Sequence, residues 1–212
     1  MQFTLKYQGT DLRPAASQKG RLEEKHKIRT CFHEQIKKLW DQDNRLCNLQ
    51  REKFQAPTLK DGRFDLPRPL SPAELNPLSA FFYRHPVRNL LFIPLVTDPM
   101  EAHCHISVRL GRPMKPGSIV YGGGDLDSRL RTLFDALRMP RNESELPDDA
   151  GPIGGSNQEI FCLLSDDSLI TRLSIESYQL LGNYPSDHYV DADIEVQIRA
   201  VTPMVGTVSL LF

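Results

Sequence analysis

Three segments of the chain alternate apolar and polar residues with a period of two. Such alternation is typical of a strand that buries one face and exposes the other. The pattern covers residues 2–8, residues 102–110 and, over eleven residues, 190–200. We therefore predict three half-buried strands in these segments.

Two further segments repeat their apolar residues at helical spacing. From Leu22 to Gln42 one face is apolar and other positions carry lysine and arginine; the apolar residues are Ile28, Phe32, Ile36, Leu39 and Trp40. A second helix starts near Asp127 or Ser128, either of which is a suitable N-cap. Its apolar face consists of Leu130, Leu133, Phe134 and Leu137. Each helix is predicted to pack its apolar face on the core.

Shorter apolar runs predict additional strands. One lies at 160–164, a strand or short helix follows at 169–178, and a last strand is possible at 205–212. The run at 89–97 is interrupted by Pro94, which lacks the backbone N–H of a ladder hydrogen bond, so this strand is expected near a sheet edge.

Two segments lack periodicity. The proline-rich stretch 54–88 is predicted to be an irregular insert, and the polar, Gly/Pro-rich stretch 140–158 a mobile loop. Helices and strands are mixed along the chain. We therefore expect an α+β fold, a single domain over 1–212, with one mainly antiparallel mixed sheet and two main helices.

We expect a cytoplasmic protein by default. No run approaches the roughly 18 apolar residues of a membrane helix, and the N-terminus lacks the basic start and apolar run of a signal peptide. The four cysteines include no CxxC pair and are expected to be free thiols.

His103 and His105 lie on the solvent-facing side of the predicted strand 102–110. They are either ordinary surface residues or groups that contact a phosphodiester.

Charge is distributed unevenly along the chain. The net charge of −1 divides into +8 for residues 1–120, with 20 basic and 12 acidic residues, and −9 for residues 121–212, with 6 and 15. A basic part beside an acid-rich part suits a protein that binds a polyanion and holds cations. Two solvated faces of different charge are the other interpretation.

Two acidic motifs each follow a strand-like segment. Asp125 and Asp127 come after three glycines, and Asp166 directly precedes Asp167. Carboxylates two residues apart in extended chain project to one side, and carboxylate oxygens suit Mg²⁺ or Mn²⁺. The alternative is that Asp127 only caps the helix and that Asp166-Asp167 only forms a turn.

The string Gly124-Asp125-Leu126-Asp127-Ser128, the Asp135-Ala136-Leu137 run on the same helix, and the later Asp166-Asp167-Ser168 resemble the RusA family of Holliday junction resolvases. The family pattern is D-x-D-N, a lysine four residues after the second aspartate, a D-A-L run and D-D-[SA]-Q. The order of strands and helices around these motifs also agrees. The resemblance implies a RusA-like fold with insertions.

The resemblance also implies the roles of individual residues. Asp125, Asp127 and Asp167 correspond to metal-binding carboxylates, with Asp166 as their neighbour, and Arg131 stands where the family has its lysine. A cation there stabilises charge on the phosphate; the alternative is a surface ion pair of Arg131 with Asp127 or Asp135. Three positions depart from the pattern: Ser128, Arg131 and Leu169.

The function that follows from the resemblance is an Mg²⁺- or Mn²⁺-dependent endonuclease that resolves branched DNA. Because a four-way junction needs two related cuts, a homodimer with two equivalent sites is expected. The three departures leave a second expectation open, a catalytically weakened relative that binds DNA or a protein partner without cleavage.

Overall fold

The computed structural model describes residues 1–10, 12, 18–44, 46, 58–60, 63–65, 84–98, 102–113, 126–151 and 159–200. Two α-helices and nine strands lie within these ranges. In chain order they are β1 (Gln2–Gly9), α1 (Gln18–Gln42), β2 (Thr58–Lys60), β3 (Arg63–Asp65), β4 (His85–Val87), β5 (Leu90–Val96), β6 (Ala102–Arg112), α2 (Leu126–Leu137), β7 (Glu159–Leu164), β8 (Ile170–Gln179) and β9 (Val190–Ala200).

The larger sheet contains the three predicted alternating strands. Its order is β1-β9-β6-β8, with antiparallel pairs except for the parallel pair β6 and β8. Alternate residues of β6 and β9 are buried, so one face of the sheet packs on the core and the other is open. The predicted mainly antiparallel mixed sheet is confirmed.

A second sheet of three strands, β4-β5-β7, was not predicted. Both of its faces are covered, because Ile93 and Phe161 join the main core while Phe92 and Ile160 pack with Leu146 on the other side. β5 lies between β4 and β7, directly beside the edge strand β4, in agreement with the expectation of a strand near a sheet edge. The paired residues of β4 reach only as far as Phe92, so that ladder ends before the proline.

The helix α1 packs against both sheets. The ring of Phe32 lies 6.4 Å from that of Tyr7 in β1, and Nδ1 of buried His33 accepts the backbone N–H of Phe161 in β7 at 2.9 Å. The apolar residues Ile28, Ile36 and Trp40 of the predicted face are also buried. The helix starts four residues before the predicted Leu22.

The helix α2 confirms the second predicted helix. Leu133 and Leu137 are fully buried in the main core, and Phe134 packs against it. The helix already begins at Leu126, so Asp127 and Ser128 lie inside it and neither is its N-cap. A single core cluster joins both helices and both sheets, and the fold is α+β.

The two segments predicted to be irregular are partly ordered. Within 54–88 the structure has the hairpin β2-β3 and the strand β4, and the rest of that segment lies outside the described residues. Within 140–158 a 3₁₀ helix spans Glu143–Glu145 and Leu146 is buried, whereas 152–158 lie outside the described residues. The strand predicted at 205–212 also falls outside them.

Cysteine chemistry agrees with the sequence as far as the structure describes it. Cys31, Cys104 and Cys162 are free thiols, and Cys47 lies outside the described part. Burial raises the pKa of Cys104 and of Cys162 to about 12, so neither is a reactive thiolate at neutral pH.

None of the described helices is both long and apolar enough to cross a membrane.

Candidate functional site

The acidic pair Asp166-Asp167 follows the carboxyl end of β7. The backbone N–H of Ser165 donates to the carbonyl of Val96 at 2.9 Å, which keeps β7 in parallel register with β5 just beyond the paired Val96 and Leu164. Asp98 and Asp166 therefore stand at equivalent positions after two neighbouring parallel strands. The carboxyl ends of parallel strands are a frequent place for ligand sites.

Arg141 bridges the two carboxylates of the pair. Its Nη2 lies 3.0 Å from Oδ2 of Asp166 and 3.0 Å from Oδ1 of Asp167, and its Nε donates to Oδ2 of Asp166 at 3.2 Å. The three side chains are 37–55% exposed, so water screens this ion pair and its contribution to stability is modest. The guanidinium nevertheless places a positive charge directly beside both acids.

Asp166 has a second, local role. Its Oδ1 accepts the backbone N–H of Ser168 at 3.0 Å, which caps the 3₁₀ helix Asp167–Leu169. This bond, together with the hydrogen bonds from the Ser168 side chain and Arg141, lowers the pKa of Asp166 to about 2. Asp166 is therefore ionised throughout the physiological range. The turn predicted as an alternative for the acidic pair is present.

A pocket of about 330 Å³ opens beside the pair. Its lining consists of His85, Thr97, Asp98, Met139, Arg141, Ser165 and Asp166. The hydroxyl of Thr97 is fully buried and has no hydrogen-bond partner within the described part of the structure. A charged ligand that reaches this pocket meets carboxylates, a guanidinium and hydroxyl groups within one opening.

A buried ion network holds the segment that carries Arg141. The guanidinium of Arg138 binds Asp135 at 2.8 Å and Glu145 at 2.8 and 3.2 Å. The other oxygen of Asp135 accepts from Lys25 of α1 at 2.5 Å, and Glu145 also accepts the backbone N–H of Arg141 at 3.1 Å. The aspartate of the D-A-L run thus ties α1, α2 and the 3₁₀ helix Glu143–Glu145 together.

The first acidic motif lies largely outside the described residues. Nothing of Asp125 is described, and only the backbone of Asp127 is, in the first turn of α2. Two residues later, buried Arg129 donates to the carbonyl of Leu12, just beyond β1. This contact ties the start of α2 to the chain that follows Gly9.

The start of α2, which carries Asp127, and the acidic Asp167 are connected to opposite ends of the larger sheet. Gly9 pairs with Val190, next to the Asp191 that faces Gly111 late in β6. Ile170, three residues after Asp167, pairs instead with Cys104 near the start of β6. The described contacts therefore do not bring the backbone of Asp127 next to Asp167, and one ion shared by Asp125, Asp127 and Asp167 stays a prediction.

The departures from the family pattern lie on both elements. Arg131 and Ser128 are exposed on α2, and Leu169 is half-buried against the main core. The carboxylate of Asp135, a suggested partner of Arg131, binds Lys25 and Arg138. The part assigned to Arg131 at a phosphate stays a prediction.

The donor chemistry near Asp166 and Asp167 fits a hard divalent cation in type. Both are carboxylates, the ligands that Mg²⁺ and Mn²⁺ prefer. Among the described residues, however, no three His, Cys, Asp or Glu side chains lie close enough to hold one ion together. Arg141 already binds one oxygen of Asp166 and one of Asp167, so a cation held by the pair would share both acids with a guanidinium.

Comparison with known proteins adds no relative: no family model, no curated protein and no solved structure matches the chain.

Sequence reasoning missed the residues that surround the acidic pair. Arg141 and Asp98 lie 25 and 68 residues before Asp166 along the chain, and no local motif connects them. The apolar runs before Asp98 and Asp166 were the usable indication. Two such runs that pair in parallel bring the residues after them to one edge.

Proposed function

We propose that this chain is a RusA-like, Mg²⁺- or Mn²⁺-dependent endonuclease that cleaves branched DNA. The observation that supports it is the acidic pair Asp166-Asp167, which leaves the end of a buried strand with both carboxylates partly exposed to solvent. The motif-bearing helix α2 and the strands around it follow the order that the resemblance implies.

The residues of this chain have separate tasks in that activity. Asp166 and Asp167, with Asp125 and Asp127 as the other carboxylates of the family pattern, would hold the divalent cation. When bound, Mg²⁺ polarises the phosphodiester and supplies a nucleophile at neutral pH. With the ion bound, Arg141 would bind a phosphate oxygen of the substrate, because a guanidinium matches that geometry. It cannot serve as a base, since it stays protonated.

The test is cleavage of a labelled four-way junction by the full chain under single-turnover conditions, with Mg²⁺, Mn²⁺ or EDTA. We expect metal-dependent cleavage that falls at least 100-fold in Asp167→Asn. The matched control is Asp148→Asn, which removes the same charge from a carboxylate whose side chain is 93% exposed and which should leave the rate within twofold. Cleavage that persists in EDTA or in Asp167→Asn would refute the proposal.

A homodimer is part of this proposal. A two-fold assembly presents two equivalent sites to the two cuts that a junction requires. Analytical ultracentrifugation at micromolar concentration, with and without a junction, measures the assembly directly. A chain that stays monomeric on the junction contradicts it.

A second function, binding of DNA without cleavage, is favoured by one observation. Arg141 already binds both acids with three hydrogen bonds and offsets one of their two negative charges, so the pair has a cationic partner without a metal. In that case the junction is bound and left intact in both Mg²⁺ and Mn²⁺. Isothermal titration with Mn²⁺ separates the two functions, since only the nuclease binds the ion through Asp166 and Asp167.

A further inference from the structure

The open face of the larger sheet has two electrically different halves. On it lie alternate residues of four strands, because directly paired residues share a face. In one half every cation has an acidic partner: Lys6 lies 3.1 Å from Asp193, and Arg109 lies 3.3 Å from Glu176. This half carries no unbalanced positive charge.

The other half is a cluster of four basic side chains, His103, His105, Arg172 and Arg199, which we call the cationic half. His103 pairs with Arg199 across β6 and β9, and His105 pairs with Arg172 across β6 and β8. The two imidazole rings lie 5.3 Å apart. Since neighbouring strands are about 4.8 Å apart and alternate residues about 7 Å, the four groups occupy a patch roughly 10 Å by 7 Å.

No carboxylate pairs with the cationic half within the described part of the chain. Arg199 donates to the amide oxygen of Gln197 at 3.1 Å, and Gln197 separates it from Glu195, the nearest acid along β9 on this face. Both arginines are exposed and both histidines half-buried. A surface that gathers cations without neutralising them favours an anionic partner.

Histidines two residues apart on a strand also suit a metal ion, but the neighbours oppose it. Arg172 and Arg199 repel a divalent cation and attract an anion. Partial desolvation, with the positive charges of His103, Arg172 and Arg199, holds the pKa of His105 below its ordinary 6.5. A bound anion reverses that repulsion and favours protonation of the imidazole.

The cationic half lies at the end of the sheet that bears the acidic pair. Ile170 opens β8 beside Cys104, between the two histidines in sequence, and Asp167 stands only three residues before it. A polyanion held on the cationic half therefore lies at the same end of the sheet as Asp167. The paired half of the face lies farther along the same strands, toward Gly111.

We propose that His103, His105, Arg172 and Arg199 form a binding surface for the phosphate backbone of DNA. The choice of DNA as the polyanion rests on the proposed function, whereas the charge of the surface does not. Phosphate contacts of this kind give affinity and orientation without base specificity. They also make binding weaken with salt, by a slope of about 0.9 per phosphate neutralised.

The test measures binding of a fluorescein-labelled junction and duplex by anisotropy, with the full chain in EDTA so that cleavage plays no part. The double variant Arg172→Gln/Arg199→Gln should lose at least tenfold in affinity at 0.1 M salt. Its salt slope should fall by about 1.8. The matched control is Arg109→Gln, which removes one charge from the same face but from a paired side chain, and it should change the affinity by less than twofold.

A pH series tests the histidines. His105 faces His103 on β6, Arg172 on β8, and Gln197 with Arg199 on β9, so its protonation in the complex depends on the bound phosphate. Wild-type affinity should rise at least threefold from pH 7.5 to 5.5, and the rise should disappear in His103→Gln/His105→Gln. A rise that survives in this variant overturns the role of the histidines.

Outcomes separate this surface from the nuclease. If the chain binds DNA through the arginines yet never cleaves it, the surface stands and the nuclease fails. If it cleaves junctions while the double arginine variant binds as wild type, the nuclease stands and the surface fails. Absence of DNA binding by the wild type, or an equal loss in Arg109→Gln, overturns the surface.

Discussion

Replacement of Arg138 by glutamine should be among the most destabilising single changes in the described polar residues. The Arg138 side chain is 5% exposed, and its partners Asp135 and Glu145 are 15% and 27% exposed. Arg138→Gln removes the guanidinium and leaves two carboxylates in a partly desolvated site. Breaking a buried ion pair by removing one partner costs about 3–5 kcal/mol.

The lower end of that range applies here. Asp135 keeps Lys25 at 2.5 Å, and Glu145 keeps the backbone N–H of Arg141 at 3.1 Å, so neither acid is left without a donor. We expect a loss of about 3 kcal/mol, which corresponds to a fall of roughly 6–12 °C in Tm for a domain of this size. Arg109→Gln, which breaks a surface pair 60% and 69% exposed, is the control and should cost less than about 1 kcal/mol.

The pH dependence of this loss has a definite sign. Burial raises the pKa of Asp135, but the hydrogen bonds and charges of Lys25 and Arg138 outweigh it, so this pKa lies below the ordinary 3.8. Burial also raises the pKa of Glu145, but the Arg138 side chain and the Arg141 backbone N–H outweigh it, so this pKa lies below the ordinary 4.5. A lowered carboxyl pKa stabilises the fold above its ordinary value and ceases to do so as pH falls through the lowered value.

The assay is urea unfolding of wild type and Arg138→Gln at several pH values from 7 to 3. The difference in free energy of unfolding should be greatest at neutral pH and should shrink below about pH 4.5, where the wild type loses the contribution of the paired carboxylates. A difference below 1 kcal/mol at pH 7, or one that stays constant down to pH 3, would refute the proposed role of the network.

Three further changes test the site and the core. In Arg141→Gln the pKa of Asp166 should rise yet stay below its ordinary 3.8, because the Ser168 N–H remains; carbon-13 NMR titration measures this, and a full return to 3.8 contradicts it. Asp166→Ala should lower the free energy of unfolding by about 1 kcal/mol because the helix cap is lost, and Asp166→Asn should lower it by less because asparagine also caps. Denaturant midpoints measure both losses, and equal losses would exclude capping. His33→Leu should cost about 1–3 kcal/mol at pH 7.5, because the Phe161 N–H loses its acceptor. Burial lowers the pKa of His33, so the wild type loses stability as pH falls below 6.5 and the gap to His33→Leu should narrow in urea titrations; a gap that widens there would contradict the assignment.

The elements that sequence predicted well are those with one wet face. In β1, β6 and β9, alternation marked which residues are buried, since each of these three strands has core on one side only. The three-stranded sheet β4-β5-β7 was missed because both of its faces are covered. All of β5 is buried, so its sequence is apolar without alternation and carries no information about which strand lies beside it.

The site residues divide in the same way. Asp166 and Asp167 were found because they are adjacent and follow an apolar run. Arg141 was missed because the contact that matters joins it to residues 25 and 26 positions later, through a segment whose polarity predicted mobility. Arg172 and Arg199 were hidden in the acid-rich part of the chain, where a sum over the segment cancels local positive charge.

The pairing of β1 with β9 makes the larger sheet depend on almost the whole chain. Gln2 faces Gln197 and Gly9 faces Val190, and β9 also forms the only described link between β1 and β6. At about 5–20 residues per second of synthesis, the first strand waits roughly 10–40 s for its partner to be made. Until β9 has been made, Leu5 and Tyr7 lack the strand that pairs with theirs, and α1, whose Phe32 packs on Tyr7, is the neighbour available to cover them.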